Sequence, residues 1–395
     1  MERLSFVAAW AIVAALCISE AASAGPPKLS AAGAILIDYD TGKVIYEKDA
    51  DAAAPPSSQS KLLTAYYVFE RIREGKISAS TRFAVSEEAV AGAKKMPRDE
   101  GTTMFLEPGE RVMVEDLLRA LIINSGGDAA LVLATNLAKS EAEFALRLNE
   151  LARELGLTHT NIVNSSGAPS QNHLMSPRDL ATLARRIILD YPEQYGYFGE
   201  KEFLYKPAIP GNKDNQNKLL WIMPGADGLA AGYTARGGYG LTSSAKRGNR
   251  RLIAAVSGIK GEQGSYGRFA ESKALLEYGF REFSNYRYFD GGRKVLDIPV
   301  WYGTKARAGA GCAEPIMAIL PAAADPEPEI IATYPSPAKA PLSKGQKLGT
   351  ISLFINGALS QECDLVALEE VGKTWGFGRM WENLKQLTKK IAERK

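Results

Sequence analysis

Apolar positions along the chain change their period twice. Residues 34–39 and 43–48 are short apolar-rich runs joined by Asp40-Thr41-Gly42, the pattern of a β-hairpin. Directly after Pro55-Pro56 the spacing turns helical, with Leu62, Ala65, Tyr66 and Phe69 on one face. Helical spacing then persists to Leu189. Ser86-Glu87-Glu88 opens a short helix, Pro108-Gly109-Glu110 forms a turn, and residues 114–123 give a strongly apolar helix that stops at Asn124-Ser125-Gly126-Gly127-Asp128. Helices over 129–139, 141–155 and 176–189 follow, the last with Ser176 as N-cap and Pro177 at the first helical position.

After Tyr205 the period shortens. Residues 219–222, 228–232, 239–245 and 251–257 read as strands, and 269–283 as a closing helix. Hairpin, helical insertion, strands and final helix imply an α+β domain: an antiparallel sheet flanked by helices, with a helical cluster at one side. From Tyr286 onward short apolar runs at 294–302, 316–320 and 348–356 are separated by turns, which predicts a small β-rich domain. Its Ala- and Pro-rich stretch, 321–341, reads as loop or extended chain.

The chain has 395 residues, 46% of them hydrophobic, enough for two or three buried cores. A formal charge of +3 gives no ground for a nucleic-acid partner. Met1-Glu2-Arg3, the apolar run from Leu4 to Ile18 and Ala22-Ser23-Ala24 fit a secretory signal peptide over 1–24. Cys17 follows Leu16 rather than a small residue, so lipid modification is not expected. Export permits a disulfide between Cys312 and Cys363, although two buried free thiols are the simpler reading. His159 and His173 lack ligand spacing and read as loop or surface residues, so no metal or cofactor is expected. At the C-terminus Trp375, Phe377, Met380, Trp381, Leu384, Leu387 and Ile391 share one helical stripe. Arg379, Lys385, Lys389, Lys390, Arg394 and Lys395 lie mostly opposite. Such a basic amphipathic helix suits the plane of a membrane surface better than packing on its own domain, with a groove on a partner protein as the alternative. The expected organisation is 1–24 signal peptide, 25–284 main domain, 285–365 small β domain and 366–395 surface helix.

The candidate chemistry lies at the start of the first helix. Ser58 sits in its N-terminal turn and Lys61 follows three residues on, so both occupy one face. A serine hydroxyl needs a base, and an amine one turn away serves if its surroundings keep it neutral. Ser125, on a tight connection between two buried helices, is placed to be held rigidly.

Several stretches together resemble the low-molecular-mass penicillin-binding proteins, the serine D-alanyl-D-alanine carboxypeptidases, over nearly the whole mature chain. They are residues 58–66 (Ser58-Gln59-Ser60-Lys61 onward), Met104-Phe105-Leu106, Val114 to Leu118, residues 172–181 around Met175-Ser176-Pro177-Arg178-Asp179, and Gly225 to Leu229. The resemblance implies a penicillin-binding/β-lactamase-like transpeptidase domain, a small β domain behind it and an amphipathic helix at the periplasmic face of the inner membrane. It also implies a peptidoglycan stem peptide ending in D-Ala-D-Ala as substrate, β-lactams as ligands and no cofactor. Ser58 would be the nucleophile, Lys61 the general base, Ser125 the proton relay, and the backbone N–H groups of Ser58 and Tyr233, beside Gly232, the oxyanion hole.

Three motifs are required, Ser-x-x-Lys, Ser-x-Asn and Lys-Thr-Gly, and only the first is intact. The second reads Ser125-Gly126-Gly127 and the third Ala230-Ala231-Gly232. Gln216 stands where the resemblance expects an arginine. Without an asparagine at 127 to hold it or a lysine at 230 to lower its pKa, Lys61 should stay protonated for longer. Ala231 and Gln216 cannot bind a carboxylate as a hydroxyl and a guanidinium would. These losses imply a catalytically impaired or inactive homologue; an active carboxypeptidase trimming stem peptides is the alternative.

Overall fold

The computed structural model describes residues 25–95, 102–206 and 212–374. The signal-peptide segment and the amphipathic stretch from Trp375 onward lie outside them. The hairpin forms β1 (Gly33–Asp38) and β2 (Val44–Lys48), paired antiparallel with Ala34 opposite Lys48. A turn of 3₁₀ helix, Ser57–Ser60, leads into α1 (Lys61–Arg73). The helical insertion contains a two-strand ribbon, β3 (Arg82–Ala84) with β4 (Arg111–Met113). Its helices are α2 (Glu87–Lys94), α3 (Val114–Arg119), α4 (Gly127–Leu137), α5 (Glu141–Glu154), α6 (Pro177–Asp190) and the short α7 (Gly196–Gly199). Two expected caps are present: Ser86 accepts from Ala89 N at 3.1 Å and Ser176 from Asp179 N at 3.1 Å.

After the four-residue helix α8 (Leu219–Ile222) come β5 (Ala226–Thr234), β6 (Gly238–Arg247), β7 (Arg250–Ile259) and α9 (Gly264–Glu282). The sheet is antiparallel throughout, in the order β2-β1-β7-β6-β5. Its period-2 pattern divides the core into two layers. Ile35, Ile37, Ile253 and Ala255 face the cluster of α1 and its neighbours. Ala34, Leu36, Leu252, Ala254 and Val256 face α9. Gly279 lets α9 close on that face, since a Cβ there would stand 2.7 Å from the side chains of Leu36 and Leu252.

The expected strand at 219–222 is helix α8 instead. Four apolar residues are too few for periodicity to tell strand from helix; they form one helical turn entered from Lys218, just after Asn217 accepts from Leu219 N at 3.1 Å. The closing helix also begins earlier than expected, at Gly264.

Strands β8 (Phe283–Phe289), β9 (Leu296–Trp301), β10 (Arg307–Gly311), β11 (Ile316–Pro321), β12 (Pro328–Thr333), β13 (Ala338–Lys339), β14 (Lys347–Ile355) and β15 (Ala358–Ala367) build the C-terminal β region. Six form a sheet ordered β12-β14-β15-β10-β9-β13, and β8 pairs with β11. The Pro-rich stretch supplies β12 at the sheet edge, where Pro328 at the strand start forfeits no ladder bond. β15 runs past residue 365, and Val371 still bridges back to Leu342. Cys312 and Cys363 form a disulfide, with Cα atoms 6.2 Å apart, so the free-thiol reading is corrected. Their separation of 51 residues concealed that the β10–β15 pairing brings them together.

Candidate active site

The turn carrying Ser58 is fastened to the sheet. Gln59, 2% exposed, accepts from the buried Thr242 hydroxyl at 2.9 Å and donates to Pro56 O at 3.3 Å. Ser57 lies at φ 55° and donates to the Thr234 hydroxyl at 3.3 Å, while Ser60 Oγ donates to Ser57 O at 3.0 Å. On β5, Gly232 permits the close approach: a Cβ there would stand 2.9 Å from Ser57 Cβ and 3.0 Å from Ser58 N. The third position of the degraded motif therefore still has its glycine for a steric reason.

Lys61 is 5% exposed, and its Nζ donates to Ser58 Oγ at 2.7 Å. Burial pushes its pKa down to about 7, against the carboxylate of Asp128, which favours the ammonium. Desolvation thus lowers the Lys61 pKa without a second lysine beside it. Asp128 organises the facing loop, accepting from Met104 N at 3.0 Å, Leu106 N at 3.2 Å, Thr103 Oγ1 at 2.5 Å and Ala129 N at 2.9 Å.

Ser125 follows a π-helical turn, Ala120–Asn124, and sits at φ 59°. The clamp that keeps this uncommon conformation is Thr102. Its hydroxyl lies 2.6 Å from Asn124 O and 2.5 Å from Ser125 O, and its carbonyl accepts from Gly127 N at 2.7 Å. Ser58, Lys61, Ser125, Gln216, Ala230 and Ala231 all line one recess of about 10 Å³, walled further by Leu62, Leu121, Ile122, Phe198 and Asn215. A second, open lobe of about 390 Å³ shares Ser58, Ser125, Gln216 and Ala231 and extends past Gly232 and Tyr233 to Tyr239, Ser265 and Arg268. Gln216 does not reach across: its amide donates to Asp214 O at 3.3 Å.

Arg268, on α9, was not singled out by sequence reasoning. Its Nη1 donates to Gly232 O at 3.0 Å and its guanidinium lies 5.4 Å from the Tyr239 ring centroid, with Tyr239 in turn stacked on Tyr233 at 4.2 Å. Burial pushes its pKa down to about 10, Nε has no hydrogen-bond partner, and no carboxylate pairs with it among the described residues. No motif marks it, since an arginine on a closing helix looks like any solvated charge. Lys218 supplies no such cation, being paired with Asp214 at 3.1 Å and placed over Trp221. His173, in a loop as expected, is 2% exposed rather than on the surface, and burial pushes its pKa to about 4. His159 is largely exposed.

Ser58 on the 3₁₀ turn and Lys61 at the start of α1 form a hydroxyl–amine pair beside β5, the edge strand of the antiparallel sheet. The D-alanyl-D-alanine carboxypeptidase family model (peptidase S11) matches residues 20–261, and that of the penicillin-binding protein 5 C-terminal domain matches 283–373. The chain belongs to this family. It is 35% identical to D-alanyl-D-alanine carboxypeptidase DacC of Escherichia coli, over 90% of this chain and 88% of that protein. It is 33% identical to DacA of the same organism, over 91% and 88%. Penicillin-binding protein 5 from Haemophilus influenzae superposes with a TM-score of 0.79 at 29% identity, covering 89% of this chain and all of that one.

Proposed function

We propose that this chain is an exported, peptidoglycan-directed member of the family that retains acylation at Ser58 but turns over D-Ala-D-Ala stem peptides poorly. It works at the periplasmic face of the inner membrane, against whose surface the C-terminal amphipathic stretch lies. The carrying observation is the Lys61–Ser58 contact of 2.7 Å in a recess where Ala230 and Ala231 supply no polar side chain, with glycine at 127 in the second motif.

In this reading neutral Lys61 takes the Ser58 proton as Oγ attacks the scissile carbonyl, and the backbone N–H groups of Ser58 and Tyr233 receive the oxyanion. Ser125 relays the proton. Arg268, across the open lobe, receives the terminal carboxylate that Ala231 and Gln216 cannot bind. Each missing acid, base or positioning group is worth about 10²- to 10⁴-fold, and groups acting as a unit do not add. A pKa near 7 for Lys61 favours the second reading, an active carboxypeptidase, because the base is available without a second lysine.

Restoring the three side chains together separates the two. The variant Gly127→Asn/Ala230→Lys/Ala231→Thr should release D-alanine from a stem-peptide mimic far faster than the parent and than any single change. A parent that already matches the triple variant overturns the impairment and establishes the active reading.

A further inference from the structure

The C-terminal β region carries a basic, aromatic face remote in sequence from the Ser58 site. β13 and β9 run side by side with Lys339 opposite Trp301, and β9 and β10 run antiparallel with Arg307 opposite Pro299. Val300 and Ala308 point into the apolar cluster of this end together with Ala340, Leu342 and Val371, so by strand alternation Pro299, Trp301, Arg307 and Lys339 point outward. The β9–β10 turn brings Lys305 back beside Trp301, with Val300 N donating to Ala306 O at 2.9 Å. Trp301 is half-buried and meets the Tyr302 ring edge-on at 6.4 Å, while Lys305, Arg307 and Lys339 are exposed. Lys305 pairs with Glu369; Arg307 and Lys339 have no acidic partner among the described residues.

The described chain ends beside this face. Lys373 bridges to Gly303, and Thr374 N donates to Tyr302 O at 2.7 Å. From there the sequence runs on through Trp375, Phe377, Arg379 and Trp381 to Lys389, Lys390, Arg394 and Lys395, the same combination of aromatic rings and cations. Indole rings settle where one side is apolar and the other wet, and lysine and arginine are drawn to the anionic headgroups beside them. We propose that the outer face of β13, β9 and β10 is a membrane contact in its own right, with Trp301 at headgroup depth and Lys305, Arg307 and Lys339 against anionic phospholipid. This rests on the reading that the chain works at a membrane surface, and it adds to the stretch beyond Thr374 a second contact, made by the folded β region. A line contact leaves a body free to roll about it; a second contact beside it fixes the tilt of the β region on the bilayer.

The test is co-sedimentation of the full mature chain with vesicles of phosphatidylcholine and phosphatidylglycerol, beside Lys305→Gln/Arg307→Gln/Lys339→Gln, with thermal melts to show that every variant is folded. Each basic side chain near an anionic surface is worth about fivefold in affinity, so the triple variant should bind about 10²-fold more weakly than the parent. Lys305→Arg/Lys339→Arg should bind like the parent, because a headgroup layer reads charge rather than the shape of the cation. Trp301→Phe should lower the quenching of tryptophan fluorescence by brominated phosphatidylcholine in the same vesicles. A triple variant that binds as tightly as the parent overturns the proposal; the stretch beyond Thr374 is then the whole contact, and the membrane reading stands. A parent that binds no vesicles overturns both. A triple variant that loses binding to purified peptidoglycan sacculi but not to vesicles assigns the face to the cell-wall polymer and also overturns the proposal.

Discussion

Lys61 Nζ stands 2.7 Å from Ser58 Oγ in a pocket that leaves Lys61 only 5% exposed, and this burial, not a neighbouring cation, brings its pKa to about 7. The amine must be neutral to accept a proton, so acylation by a penicillin should be weak at pH 5, rise through an inflection near 7 and level off above it. Asp128 favours the ammonium, so Asp128→Asn should move the inflection to lower pH. Stopped-flow acylation rates across pH check both directions.

Arg268 supplies the cation of the open lobe. Arg268→Gln should lower the second-order acylation constant for a carboxylate-bearing penicillin, since a charge-assisted hydrogen bond is worth about 1.5–3 kcal/mol, or about 10- to 150-fold. Its Tm should be unchanged or higher, because a partly buried charge with no anionic partner is removed. A thermal melt beside the acylation assay distinguishes a binding role from a structural one.

Gln59 positions the nucleophile from outside the cleft. Gln59→Leu leaves the fully buried Thr242 hydroxyl without its acceptor, which should cost about 1–3 kcal/mol and slow acylation of Ser58. Adding Thr242→Val removes the orphaned group and should restore most of the stability but not the rate. Denaturant unfolding and adduct formation, measured on both variants, check the pair.

The Cys312–Cys363 disulfide closes a loop of 51 residues, for which chain entropy predicts up to about 4 kcal/mol of stabilisation of the β region. Reduction should lower the melting transition of that region and leave Ser58 acylation unchanged. Calorimetry with and without reductant, alongside the adduct assay, measures both.

Where a sequence signal was local and repeated, it carried through to structure. The β1–β2 hairpin, the capped helices at Ser86 and Ser176 and the Ser58–Lys61 face follow from spacing and caps within one or two turns of chain. Long-range features were not legible. Arg268 meets Gly232 across 36 residues and Gln59 meets Thr242 across 183, with no pattern linking either pair before the sheet exists. The burial of Lys61 was not legible for the same reason: charges can be counted along a chain, but desolvation depends on which apolar walls fold over the amine. At 219–222 a run of four apolar residues was too short to show a period, and it forms a single helical turn.

Intact-protein mass spectrometry after incubation with a penicillin at pH 8 tests the central claim most directly. A stoichiometric adduct mapped to Ser58, absent in Ser58→Ala and in Lys61→Met, is the predicted result: the buried pair still performs acylation although position 127 is glycine and positions 230 and 231 are alanine. A folded protein that forms no adduct would contradict it, and would mean that a 2.7 Å contact and a base near neutrality do not suffice without the groups missing at 127, 230 and 231.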